Sequence, residues 1–187
     1  MEATLQPNDP LVARFRAGDR EAFDAVMTAH RRQVYSVARR LLRHHEDADE
    51  ATQQTFLRAW QARESFRSDA RLSSWLISIA LNVSRSMLAR RKPERSVDEL
   101  EERQDDGPGA DQRLGGKQLQ RRLRDAIETL PPRQREVVTL KLYEERTYRE
   151  VAQLLELSEG AVKAHFHQAV SNLRRRMESP RVKEARR

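Results

Sequence analysis

Between Pro93 and Gln118 the chain has almost nothing from which to build a core. Only Val97, Leu100 and Leu114 are large and apolar there, Gly107-Pro108-Gly109 and Gly115-Gly116 interrupt regular structure, and eight carboxylates stand against four basic residues. Such a stretch buries too little apolar surface to offset its ordering entropy, which makes residues 93–117 a flexible acidic linker. The residues on either side must then form units of their own, expected over 10–92 and 118–177. Both flanks are basic: residues 1–92 hold 16 Lys/Arg against 11 Asp/Glu, and residues 119–187 hold 16 against 10. Two small basic domains on an acidic tether is the plan this implies.

Composition agrees with small domains. Of 187 residues, 35% are charged and 37% belong to the apolar set, less apolar material than one large core needs. The net charge of +7 favours polyanionic partners, since each neutralised phosphate releases counterions. There is no cysteine, which excludes disulfides and thiolate metal sites and fits a reducing compartment. Met1–Pro10 lacks the basic start and apolar run of a signal peptide. The most apolar stretch, Trp75–Val83, is too short to span a bilayer. A soluble cytoplasmic protein without membrane insertion is expected.

Periodicity predicts an all-α fold. In the first unit, four helices are expected. Leu11–Ala17 ends at Gly18, and a second helix capped by Asp19 carries Ala22, Phe23, Val26, Val34, Val37, Ala38 and Leu41. A third, Glu46–Arg63, sets Ala48, Ala51, Thr52, Thr55, Phe56 and Ala59 on one stripe. Ser65–Arg71 reads as a loop, and a fourth helix carries Leu72, Trp75, Leu76, Ile79, Ala80, Val83 and Met87. In the second unit, Leu119, Leu123, Ala126, Ile127 and Leu130 share a face, and Pro131-Pro132 opens a helix with Val137, Val138, Leu140 and Leu142. A pair follows: Tyr148–Leu155, a turn at Glu156-Leu157, and Ser158–Met177.

That last pair has the layout of a helix-turn-helix, whose second helix enters the DNA major groove. Val162, Phe166, Ala169, Val170, Leu173 and Met177 fall on one side. Gly160, Ala164, His167, Gln168, Ser171 and Arg175 fall opposite, with Lys163 on the flank, and Gln can make bidentate base contacts. A solvated outer face of an ordinary bundle helix would show the same pattern. The loop with Phe66, Arg67, Asp69 and Arg71 beside Trp75 could hold an unstacked base, although Trp75 and Phe66 suit a core equally. The acidic start of the third helix complements its dipole or forms a protein-docking face. Paired histidines do not share a helix face: His165 and His167 point about 200° apart. No metal, cofactor or catalytic constellation is indicated, so no enzymatic activity is expected.

Glu46-Asp47-Ala48-Asp49-Glu50-Ala51-Thr52-Gln53-Gln54-Thr55-Phe56-Leu57-Arg58-Ala59-Trp60 resembles the second conserved region of bacterial sigma factors. Trp75-Leu76-Ile77-Ser78-Ile79-Ala80-Leu81-Asn82 is similar to the Trp-Leu-x-x-Ile-Ala-x-Asn signature that follows it. Leu130-Pro131-Pro132-Arg133-Gln134-Arg135-Glu136-Val137, Tyr148-Arg149-Glu150-Val151-Ala152 and Ser158-Glu159-Gly160-Ala161-Val162-Lys163 resemble the fourth region. The short linker and the lack of a third domain point to the extracytoplasmic-function group.

The resemblance implies roles. Asp47, Glu50, Gln53, Gln54 and Arg58 would dock on the β′ subunit of the RNA polymerase core, with β as a further partner. Arg67, Ser68, Asp69, Ala70 and Arg71, with Asn82 and Arg85, would capture the melted minus-ten strand of promoter DNA. Ser158, Gly160, Lys163, Ala164, His167, Gln168 and Arg175 would contact the minus-thirty-five element. Many members of the group are held by an anti-sigma factor, though nothing in this chain identifies one. Several positions depart from the common pattern: Gln54 for Glu, Ser78 and Ser86 for Arg and Asp, and Ala161, Ala164, His165 and Gln168 in the recognition helix. The competing reading is a stand-alone helix-turn-helix regulator that binds DNA by itself.

Overall fold

Phe15 is fully buried and its ring lies within 6.1–6.5 Å of the ring centroids of Phe23, Trp60 and Trp75, so one aromatic cluster ties together the first four helices. The computed structural model describes residues 9–67, 71–90 and 112–178, with 112–117 as backbone alone. Helix α1 (Pro10–Arg16) starts where the Asp9 carboxylate accepts the Leu11 N–H. Its exit needs Gly18, at φ +85°, where an added Cβ would lie 3.3 Å from the Arg63 side chain. Asp19 caps α2 (Arg20–Leu42) by accepting the Ala22 N–H. Helix α3 (His45–Gln61), a 3-10 turn at Arg63–Ser65 and α4 (Leu72–Arg90) complete this half. The stripe Ala48, Ala51, Thr52, Thr55, Phe56 and Ala59 is buried throughout, as its spacing requires.

The C-terminal half contains α5 (Gln112–Glu128), α6 (Pro132–Val138), a π-helical turn (Thr139–Tyr143), α7 (Tyr148–Leu155) and α8 (Glu159–Glu178). Among the described residues there is no strand. Ala126, Ile127, Leu130, Val138, Ala169 and Leu173 form its own core. Three details differ from the periodic expectation. Helix α5 begins at Gln112, inside the stretch assigned to the linker, and runs through Gly115 and Gly116. Each glycine costs about 1 kcal/mol relative to Ala, a cost that propagation from the packed end of the helix offsets. The π turn shifts the register after Val138, leaving Leu142 48% exposed. Leu119 and Val170 are also exposed, beyond the edge of the buried stripe.

The larger difference lies between the halves. They share a core in which Val37, Leu41, Ile77 and Leu81 pack with Val137, Leu140, Val151, Leu155 and Val162. Ile77 and Leu81 fall outside the stripe read from α4 alone, yet both are fully buried. Residues 75–83 are apolar nearly all the way round, and such a helix is covered on more than one side. Here the second cover is α7. Arg135 reinforces the junction: it is 4% exposed and donates to the carbonyls of Leu41, Glu128 and Leu130 at 2.8–2.9 Å.

Candidate functional site

Three surfaces carry the residues singled out by sequence. On α3 the buried stripe leaves the opposite side to solvent. Glu50 and Gln53 are exposed, Asp47, Gln54 and Arg58 are half-buried, and the Gln54 amide donates to the Glu50 carboxylate at 2.8 Å. Leu57, one turn beyond Gln53, is 57% exposed. An open groove of about 470 Å³ runs beside it between α2 and α3, walled by Phe23, Met27, Thr28, Gln53, Leu57 and Trp60. The charge pattern alone did not single out this bare leucine amid polar neighbours on an apolar groove.

The second surface surrounds the start of α4. Phe66 is buried and Trp75 half-buried against it, with ring centroids 5.1 Å apart, so both rings pack into the aromatic core. Arg67 and Arg71 are exposed, whereas Ser68, Asp69 and Ala70 lie outside the described residues. Asn82 is exposed and accepts from Arg85 at 3.2 Å. The Arg85 guanidinium also forks onto Glu136, Nε to Oε1 at 2.8 Å and Nη2 to Oε2 at 3.1 Å. Arg71 Nη1 lies 3.8 Å from Glu150 Oε1. Arg85 and Arg71 thus meet carboxylates from the other half of the chain.

The third surface is the outer side of α8. Thr147 and Glu150 make a reciprocal capping box on α7, with the Thr147 N–H donating to Glu150 at 2.8 Å. The Thr147 N–H and hydroxyl hold the Glu150 carboxyl below its usual value. Glu156 takes the left-handed conformation at φ 55°, and the Leu157 N–H returns to the Ala152 carbonyl, which closes the turn without a glycine. The Ser158 hydroxyl accepts the Ala161 N–H at 3.1 Å and so starts α8. Val162, Ala169 and Leu173 are buried. Phe166 is half-buried, its ring edge-on to Tyr148 at 6.0 Å.

Gly160, Lys163, Ala164, His167, Gln168, Ser171 and Arg175 are all exposed on the opposite side. This is a continuous polar face on a helix held by a packed partner, the geometry needed to enter a groove. Lys163 Nζ lies 5.8 Å from the Tyr148 ring centroid. Among the described residues, no group of three or more His, Cys, Asp or Glu is placed to hold a metal, and no helix is long and apolar enough to cross a membrane.

Each half matches a different family model. One described as Sigma-70 region 2 covers residues 26–94, and one described as Sigma-70, region 4 covers residues 120–173. The chain is 36% identical over 168 residues to ECF RNA polymerase sigma factor SigM of Mycobacterium tuberculosis, covering 90% of this chain and 83% of that protein. It is 29% identical over 169 residues to the ECF RNA polymerase sigma-E factor of Escherichia coli (strain K12), covering 85% and 88%. Among solved structures, the sigma factor RpoE of Bartonella quintana, in complex with the anti-sigma factor NepR, superposes with a TM-score of 0.70 at 19% identity, over 86% of this chain and 99% of that one. CnrH, in complex with the cytosolic domain of CnrY, gives 0.66 at 24%, over 88% and 93%. At these identities the two structures share the fold.

Proposed function

Because the chain belongs to the extracytoplasmic-function (ECF) group of RNA polymerase sigma factors, we propose that it directs core polymerase to promoters through the three surfaces above. It acts as a specificity subunit, without chemistry of its own, in the cytoplasm where polymerase works. The α3 face with Asp47, Glu50, Gln53, Gln54 and Arg58, extended by Leu57 and its groove, docks on the polymerase β′ subunit. Arg67, Arg71, Asn82 and Arg85, with the loop residues Ser68, Asp69 and Ala70, bind the melted minus-ten strand. The outer face of α8 reads the minus-thirty-five element, Gln168 and His167 at base edges and Lys163 at a phosphate. Two relatives of this fold are solved with an anti-sigma factor or a cytosolic partner domain, and a partner of that kind is proposed here too.

The observation that carries this reading is the joint one: both sigma regions lie in order on one chain, and the helix-turn-helix leaves its reading face bare. A stand-alone regulator would have no use for the α3 surface. Transcription from randomised upstream elements by reconstituted holoenzyme tests the reading. Gln168→Ala and His167→Ala should change which bases are preferred, by about 1–3 kcal/mol where a bidentate contact is lost. Lys163→Ala should weaken all sequences alike and flatten the salt dependence. Tight sequence-specific binding by the chain without core polymerase would favour the stand-alone regulator.

A further inference from the structure

Arg63 opens the 3-10 turn between α3 and the proposed strand-binding surface, and its guanidinium is held from several sides. Nη1 donates to the Trp60 carbonyl at 3.0 Å, and the guanidinium carbon sits 4.7 Å over the Trp60 ring. The ring quadrupole attracts a cation in that position. Nη2 meets the Glu64 carboxylate at 3.2 Å. The exit of α1 closes in as well: Gly18, at φ +85°, comes so near that an added Cβ would lie 3.3 Å from Nε and 3.4 Å from Nη2. One side chain thus joins the end of α3 to the exit of α1.

The turn passes this placement on. The Arg63 carbonyl accepts the Phe66 N–H at 3.2 Å, and the buried Phe66 ring packs 5.1 Å from that of Trp75. Arg67 follows Phe66 directly. At the other end, the Trp75 N–H donates to the Arg71 carbonyl at 3.2 Å. Arg67 and Arg71 are therefore both tied to one aromatic contact, and the turn at Arg63 leads into it. Local stability does not account for an arginine here. Its Nε is buried with no hydrogen-bond partner among the described residues, which costs stability. Leucine would cover the Trp60 ring without that cost, but it lacks the rigid planar fork.

We propose that Arg63 is a positioning residue for strand capture. Trp60 and Gly18 fix its guanidinium, and the turn so held sets where Arg67 and Arg71 meet the minus-ten strand, and with them the base preference at that element. The proposal rests on the minus-ten role given to those two arginines above. Arg63 itself touches no DNA in this scheme. A phosphate contact would contribute a share of the salt dependence of binding. A positioning residue changes which bases are preferred and leaves that dependence alone.

The test uses holoenzyme reconstituted with the full chain and a promoter library randomised at the minus-ten element. Arg63→Leu removes the fork, and Gly18→Ala crowds it while leaving Arg63 in place. Each should narrow minus-ten discrimination about tenfold, within the range of one lost base contact. Arg63→Lys, which keeps a cation over the ring and one donor, should recover part of it. Preference at the minus-thirty-five element and the salt slope should stay as in the parent. Thermal melts check folding, and Gly18→Ala carries the test if Arg63→Leu fails to fold.

Parent-like minus-ten preference in both variants overturns the proposal, as does an equal loss at both elements, which marks general destabilisation. A salt slope reduced by Arg63→Leu alone marks a direct phosphate contact and overturns it too. Arg67→Ala and Arg71→Ala, run alongside, separate the two readings. If they leave minus-ten preference and strand affinity unchanged, the strand-binding assignment falls and the positioning role with it. If they alter either one while the Arg63 and Gly18 variants match the parent, only the positioning role falls.

Discussion

Asn172 on α8 donates its side-chain amide to Oε1 of Gln134 on α6 at 2.9 Å, and Gln134 in turn donates to Oε1 of Gln168 at 3.4 Å. Gln134 is 8% exposed, so this short amide chain anchors the exposed Gln168, the proposed groove reader, to the core. With its oxygen engaged, Gln168 presents its N–H₂ outward, toward acceptors such as the N7 and O6 of guanine. Gln134→Met keeps the volume but removes both bonds. The expected outcome is a relaxed base preference at the Gln168 contact with retained overall affinity, together with a stability loss of about 1 kcal/mol. A library selection with holoenzyme reads the preference. An unchanged profile would mean that Gln168 is not held by this chain of amides.

Arg135 is a buried charge that bridges the two halves. Burial pushes its pKa down to about 10, helped by repulsion from Arg43. Its three carbonyl partners come from both halves, Leu41 on one side and Glu128 and Leu130 on the other. Arg135→Met should destabilise the fold by at least ~1–3 kcal/mol, the cost of one orphaned buried polar group. Denaturant melts measure it. A neutral result would show that water replaces the guanidinium.

On α3, Glu50→Lys with Gln53→Ala should weaken association with core polymerase and leave helical content unchanged. Both residues are exposed and lie off the buried stripe. Leu57→Asp should have a similar effect through the apolar groove. Pull-down with purified core enzyme, alongside circular dichroism, separates docking from folding. Intact core affinity in all these variants would remove the docking role of α3.

Glu150 predicts an acid-side dependence. Its folded pKa lies below the ordinary 4.5, first because the Thr147 N–H donates to the carboxylate. A depressed carboxyl pKa contributes stability that is fully present above the unfolded value and is lost as pH falls through the folded one. Glu150→Gln should therefore flatten the decline of melting temperature below about pH 4.5. The effect should be modest, because the side chain is 34% exposed. A slope identical to that of the parent chain would show that the capping box adds nothing.

Helix existence was legible in the residues wherever one face was buried by its own half. The stripe on α3 and the caps at Asp19 and Ser158 depend on local spacing and local hydrogen bonds, which short-range sequence encodes directly. The same holds for the outer face of α8, because its partner α7 lies next to it in the chain. The T-x-x-E signal of the Thr147–Glu150 box was equally available, and periodicity alone passed over it.

What tertiary structure decided is the burial of Ile77 and Leu81, the exposure of Leu142 past the π turn, and the pairing of Arg85 with Glu136 across 51 positions. The acidic stretch predicted two units on a tether because it cannot build a core. That same composition says nothing about whether the halves it joins bury surface against each other. Local spacing specifies which side of a helix is apolar. Which distant segment covers the second side of α4 depends on shape and charge complementarity between surfaces that meet only after each half has folded.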